Sequence, residues 1–174
     1  IWEAQWDKIK QIKELQTKLT KLKNPKGFIY PVPIKVAGDI FEHWKTSPEL
    51  LNKCICSFPD NIDTIFGNHD IPRHNLDLVH RSGLQTLIEA DIIEYNSLQG
   101  DWGFDIDELG LSRIKNKKIV VLHVLTYKGK SPWPGCTDPD VDELLDMFPG
   151  VDLVITGHNH KTFTYKRGKQ LLIN

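Results

Sequence analysis

Three short runs in this 174-residue sequence combine glycine with side chains that bind metals or move protons: Gly38-Asp39, Gly67-Asn68-His69-Asp70 and Gly157-His158-Asn159-His160. A fourth candidate, His123, sits inside an apolar, β-branched run from Ile119 to Leu125. A carboxylate can bridge two cations. An amide oxygen with several imidazole nitrogens makes a mixed N/O donor set that suits manganese, iron or zinc rather than a thiolate-selecting site. Two cations about 3.5–4 Å apart can share and activate a water for displacement at phosphorus. Each piece taken alone has a plainer meaning, because Gly-Asp marks turns and a single buried histidine is usually a hydrogen-bonded core residue. Two Gly-containing tetrapeptides, each directly after a β-prone run, point instead to a site in which Asp39, Asn68, His123, His158 and His160 are metal ligands, with His69 and Asp70 as candidates for moving protons.

The remaining chemistry-bearing residues read differently. Asp70 beside His69 could orient that imidazole, although adjacent side chains often point apart. His43, His74 and His80 lie outside the strand-end pattern and are expected to be solvated or capping. Cys54 and Cys56 are two apart in a helix-like stretch, poor geometry for a disulfide, and no second cysteine pair accompanies them for zinc. Trp133, between two prolines in the 129–139 loop, either flanks substrate or packs.

The elements that must hold these residues follow from periodicity. Residues 1–23 set Ile9, Ile12, Leu15, Leu19 and Leu22 at three- and four-residue steps among lysines, an amphipathic helix closed by Asn24-Pro25-Lys26-Gly27. Residues 34–37 are a short strand stopping at Gly38-Asp39. Residues 47–57 are a helix with Ser47 as cap and Pro48 first, and 63–66 a strand stopping at Gly67. Residues 84–93 suggest a helix running into a short strand, 101–107 a turn, 119–125 a buried strand, 140–148 a helix and 152–156 a buried strand. Residues 161–166 and 169–173 flank Arg167-Gly168 like a hairpin. Strands separated by helices predict an α/β chain with a largely parallel sheet, and ligands of such sheets bind outside the carboxyl ends of the strands. Gly38, Gly67 and Gly157 each fall at such an end.

Length and 40% hydrophobic content fit one domain spanning 1–174. The net charge of −1 argues against a general basic coat for nucleic acid, yet it divides unevenly, +5 over residues 1–37 and −6 over the rest. The lysines of the first helix read first as a solvated face rather than a polyanion contact. An odd count of three cysteines suits a reducing cytoplasm. There is no apolar run of about 18 residues to span a bilayer, and no apolar leader opens the chain. Because the only methionine is Met147 and the chain opens at Ile1, it is expected to be a fragment.

Gly38-Asp39, Gly67-Asn68-His69-Asp70, His123 and Gly157-His158-Asn159-His160 together resemble the calcineurin-like metallophosphoesterase superfamily, over about residues 34–174. The resemblance implies a four-layer β-sandwich flanked by helices and two divalent ions, manganese first, with iron, zinc or magnesium as alternatives. It implies that Asp39 bridges the ions, that Asn68, His123 and His158 hold one, and that His160 helps hold the other. His69 would protonate the leaving group or stabilise the transition state. The run Gly38-Asp39-Ile40-Phe41-Glu42-His43-Trp44 is similar to the DNA-repair-nuclease branch, which implies phosphodiester substrates such as DNA or a nucleotide; a phosphomonoesterase, or a non-catalytic binding module, are the alternatives. The sequence departs from the pattern in having no Asp followed two positions later by His, a pair expected upstream of Ile1. Glu42 stands where an Asp is common, and Leu171-Leu172-Ile173-Asn174 stops where a further turn is expected, so truncation is expected at both ends.

Overall fold

A computed structural model describes residues 2–23, 31–95, 112–114 and 117–174. The chain forms two compact units: one holds 1–36, 41–64 and 69–95, the other 37–40, 65–68 and 96–174. Two four-residue stretches of the second unit are therefore inserted between segments of the first.

In the first unit, β1 (Ile34–Val36), β2 (Ile62–Thr64) and β3 (Glu94–Tyr95) make a parallel sheet in that order, with Ile34 opposite Ile62 and Asp63 opposite Glu94. Every residue of β2, the central strand, is buried. Helix α2 (Pro48–Ser57) starts as its sequence signals: the Ser47 hydroxyl accepts the Leu50 N–H at 3.2 Å, and Pro48 occupies the first turn, where no intrahelical donor is needed. It ends at Phe58, which Pro59 holds in extended backbone. Helix α3 (Gly83–Glu89) is capped by Ser82, whose hydroxyl accepts the Gln85 N–H at 3.0 Å.

Helix α1 (Trp2–Lys23) forms where its periodicity predicts, but its apolar stripe does not face inward. Ile12, Leu15, Leu19 and Leu22 are exposed, whereas Gln16 and Thr20 are buried. Hydrogen bonding explains the inversion. The Gln16 amide donates to the carbonyls of Val32 and Asp60, and the Thr20 hydroxyl accepts the Val32 N–H at 3.0 Å. Those backbone groups would otherwise be left unpaired, at about 1–3 kcal/mol each.

In the second unit, β4 (Ser112–Ile114), β5 (Lys117–Val124), β6 (Leu153–His158), β8 (Gln170–Ile173) and β7 (Thr164–Arg167) make one sheet in that order. Strands β5, β6 and β8 run parallel, while β4 and β7 pair antiparallel at the two edges. The register sets Ile119 opposite Leu153 and Val124 opposite His158. Asp152 helps fix it, since its carboxylate accepts the Lys118 N–H at 3.0 Å and the Lys117 ammonium at 2.7 Å. Helix α4 (Val141–Met147) begins with a reciprocal capping box between Asp140 and Glu143. It buries Val141, Leu144 and Leu145 against Val120, Leu122, Val154 and Leu172, and each such side chain contributes about 1.5–3 kcal/mol by leaving water. The Tyr165 hydroxyl donates to Asp142 at 2.9 Å, and Arg167 pairs with Asp146 at 2.9 Å, tying the α4 surface to the terminal hairpin.

Several expectations shift. β6 runs on through Gly157 to His158 rather than ending at Thr156, because β5 offers ladder partners as far as Val124. β2 ends at Thr64 rather than Phe66. The parallel strands are divided between two sheets, one with antiparallel edges, rather than forming the single largely parallel one that alternation suggests, and two sheets with several helices are consistent with the fold that the family resemblance implies. Two 3₁₀ turns, Pro72–His74 and Leu76–Arg81, and strand β4 carried no clear periodic signal. The turn expected at 101–107 lies outside the described residues. Among the described residues, no helix is long and apolar enough to cross a membrane.

Candidate metal centre

Four of the five expected ligands converge within the second unit. Strand β5 delivers His123 one residue short of its end, β6 delivers His158 as its last residue, and the two inserted stretches deliver Asp39 and Asn68. Asp39, His123 and His158 each place one ligand atom so that all of these atoms lie within 4.8 Å of one another. His123 is the hub. Its Nε2 lies 2.9 Å from Asn68 Oδ1 and 3.2 Å from Asp39 Oδ2, and its ring meets that of His158 edge-on with centroids 5.0 Å apart.

The backbone is shaped to permit this approach. Gly38 has φ +78°, and a Cβ there would lie 2.5 Å from His123 Nδ1; only glycine supplies both the left-handed conformation and the space. A Cβ on Gly67 would strike the Asp39 carboxylate. Asp39 at φ +52° and His158 at φ +77° are themselves left-handed. Backbone held in such sparsely populated conformations clusters where surrounding structure and function demand it.

Hydrogen bonding fixes the chemical identity of the hub. The His123 Nδ1 lies 2.7 Å from the Ala37 carbonyl, which can only accept, so Nδ1 carries the proton. In the neutral ring Nε2 is then a lone pair, and it faces an amide oxygen and a carboxylate oxygen. In that state the nitrogen and the two oxygens form an N/O donor set that a cation can accept. This N/O composition is one that divalent transition ions accept, so the residues present fit a metal ion. The ligands also differ in access: the His123 side chain is nearly buried, that of Asp39 is about one quarter exposed, and His158 is exposed. One side of the cluster therefore opens to solvent.

A hydrogen-bonded frame stands behind the ligands. The Asn159 amide donates to the Thr126 carbonyl at 2.6 Å, while its oxygen accepts the Lys161 N–H at 3.0 Å. The Asn174 amide donates to the carbonyls of Asn159 and Lys161 at 2.8 and 2.7 Å, and its oxygen accepts the Thr156 hydroxyl at 2.9 Å. The turn that bears His158 and His160 is thus tied to the ends of β5, β6 and β8. Asn159, Thr126 and Asn174 were not anticipated as participants. Asn159, flanked by two candidate ligands, offered the one available signal, because asparagine readily bonds nearby backbone.

Three further residues expected at the site have surroundings of their own. His160 is exposed and lies outside the three-residue ligand group. His69, in the first unit, is also exposed, with Nδ1 2.7 Å from the Glu42 carbonyl, so Nδ1 carries its proton. Asp70, in the first unit, is fully buried and accepts the Phe41 N–H at 3.2 Å. His43 and His80 are exposed and bonded locally, His43 Nδ1 accepting the Lys45 N–H at 3.0 Å and His80 Nδ1 lying 3.1 Å from the Asp77 carbonyl; His74 is exposed. Among the cysteines, Cys54 is buried and free, and burial pushes its thiol up to about 11, which suits packing and not ligation.

Comparison with protein families gives a match over residues 9–162 to the model described as calcineurin-like phosphoesterase. Comparison with curated proteins gives no match.

Proposed function

The chain belongs to the calcineurin-like phosphoesterase family, whose members are metal-dependent phosphoester hydrolases, and from that premise we propose that it hydrolyses phosphodiesters, as a nuclease or nucleotide phosphodiesterase. The observation that carries the reading is the meeting of Asp39 Oδ2 and Asn68 Oδ1 at the His123 Nε2 lone pair, an arrangement that makes chemical sense around a cation. Asn68, His123 and His158 would hold one divalent ion. Asp39 would bridge it to a second, to which His160 also contributes. Manganese is the first choice, with iron, zinc or magnesium as alternatives. When bound, such ions supply Lewis acidity at phosphoryl oxygens and acidify a coordinated water.

The chain's own groups do the rest. His69 would give a proton to the leaving alkoxide from Nε2, because Nδ1 is committed to the Glu42 carbonyl. Asp70, fully buried and accepting the Phe41 N–H, would act through the backbone it holds and not by touching substrate. The nearly buried His123, anchored by the Ala37 carbonyl, would keep its Nε2 aimed without reorganisation. The phosphodiester preference rests on the run Gly38–Trp44, and the products would be a phosphomonoester and an alcohol.

Metal analysis of the full-length protein with manganese, beside hydrolysis of bis-p-nitrophenyl phosphate, tests this. Two ions per chain with turnover are expected. One ion without turnover would defeat the enzymatic reading and leave a metal-binding module, whereas turnover confined to p-nitrophenyl phosphate would make the protein a phosphomonoesterase.

A further inference from the structure

The segment that leaves β5 directly after His123-Val124 is built in a way that neither the sheet nor the metal cluster requires. From Lys128 to Gly135 every residue is exposed. The ends of the segment are nonetheless closed: the Thr126 hydroxyl donates to the Pro139 carbonyl at 3.0 Å, and the Val141 N–H donates to the Tyr127 carbonyl at 3.0 Å. Thr126 is fully buried, and its own carbonyl is the acceptor of the Asn159 amide, between His158 and His160. The loop is therefore rooted in the same hydrogen-bonded frame that carries the ligand turn.

At its tip stands Trp133, 47% exposed. Its backbone is pinned, because the carbonyl accepts both the Ser131 hydroxyl at 2.7 Å and the Cys136 N–H at 3.3 Å, and Pro132 and Pro134 restrict the chain on either side. An indole displayed to water on a stiffened loop forgoes burial that would stabilise the fold. Two exposed lysines, Lys128 and Lys130, accompany it, Lys128 with its ammonium 5.5 Å from the centre of the Tyr165 ring. An exposed aromatic side chain and cations carried on one loop are the composition that binds nucleotides without sequence preference, rings stacking on bases and charges serving phosphate.

We infer that the Lys128–Pro139 loop is a nucleotide-binding arm of the metal centre, with Trp133 stacking on a base next to the scissile phosphate. This rests on the phosphodiesterase reading above. The arm selects esters that carry a base over equally reactive esters that do not, and its rigidity means that little ordering is left to be done on binding.

Two diesters with the same leaving group test it on the full-length manganese enzyme: p-nitrophenyl thymidine 5′-phosphate, which has a base, and methyl p-nitrophenyl phosphate, which has none. Trp133→Ala should lower the ratio of the two kcat/KM values by about 5- to 150-fold, the range spanned by stacking one base, and Trp133→Phe should recover most of it. A ratio unchanged by Trp133→Ala, or a loss that Trp133→Phe does not recover, overturns the arm while leaving phosphodiesterase activity in place. Hydrolysis of neither ester removes the underlying reading, and the arm with it.

Discussion

At the scale of single residues, the centre depends on which imidazole nitrogen carries a proton. The Ala37 carbonyl decides this for His123 and the Glu42 carbonyl for His69. With Nδ1 so committed, Nε2 is the nitrogen by which His123 faces Asp39 and Asn68, and Nε2 is the one from which His69 would transfer a proton in the proposed reaction. His69→Asn is expected to lower kcat by roughly 10²- to 10⁴-fold, the usual contribution of an acid–base group, with manganese affinity unaltered in a calorimetric titration; undiminished kcat would remove His69 from the reaction. Asp39, Asn68 and His158 could be read from sequence because each follows a β-prone run, and His123 because it interrupts an apolar one near its end, so that their meeting is a property of strand ends. Ala37 and Glu42 act through carbonyls that every residue possesses, and no side-chain pattern could have singled them out.

At the scale of elements, the strands and capped helices were the most legible. Ser47-Pro48 and Asp140 with Glu143 are local signals, and the structure uses them as helix starts. Helix α1 was legible as a helix but not in its orientation, because its docking is decided by the amide of Gln16 and the hydroxyl of Thr20 bonding backbone 12 to 44 residues away. Hydrophobic periodicity is blind to such long-range polar partners. The same holds for the frame behind the ligands. Asn159→Ala removes the bond to the Thr126 carbonyl and the acceptor for the Lys161 N–H. It should weaken manganese binding by about 10- to 100-fold, as loss of groups supporting metal ligands generally does, while far-ultraviolet circular dichroism stays native. An unchanged dissociation constant in a manganese titration would mean that the ligand turn holds its shape without Asn159.

At the scale of the molecule, an α/β chain follows from the alternation of strands and helices and the metallophosphoesterase fold from the family it matches, but the division into two sheets does not follow from alternation. That depends on which parallel strands pair: β2 is a buried Ile-Asp-Thr and β5 a longer, mostly apolar run, and neither carries a local signal that assigns it to its sheet. A cation bound only by the folded chain should add about 2.7 kcal/mol of stability at one hundred times its dissociation constant, or roughly 5–10 °C in melting temperature for a chain of this size. Scanning calorimetry with manganese and with chelator is expected to show this shift for the native sequence and its loss in His123→Ala. A shift that survives the substitution would place the ion elsewhere. The two inserted stretches, 37–40 and 65–68, give this prediction a topological edge. Asp39 and Asn68 precede residue 95 in the chain, while His123 and His158 follow residue 117, so a single backbone cleavage between those points distributes one coordination sphere over two polypeptides. If the proposed ion is bound, a chain cut at an engineered protease site between those points would keep it only for as long as the two fragments remain together, which would make metal retention after cleavage a direct report of fragment complementation.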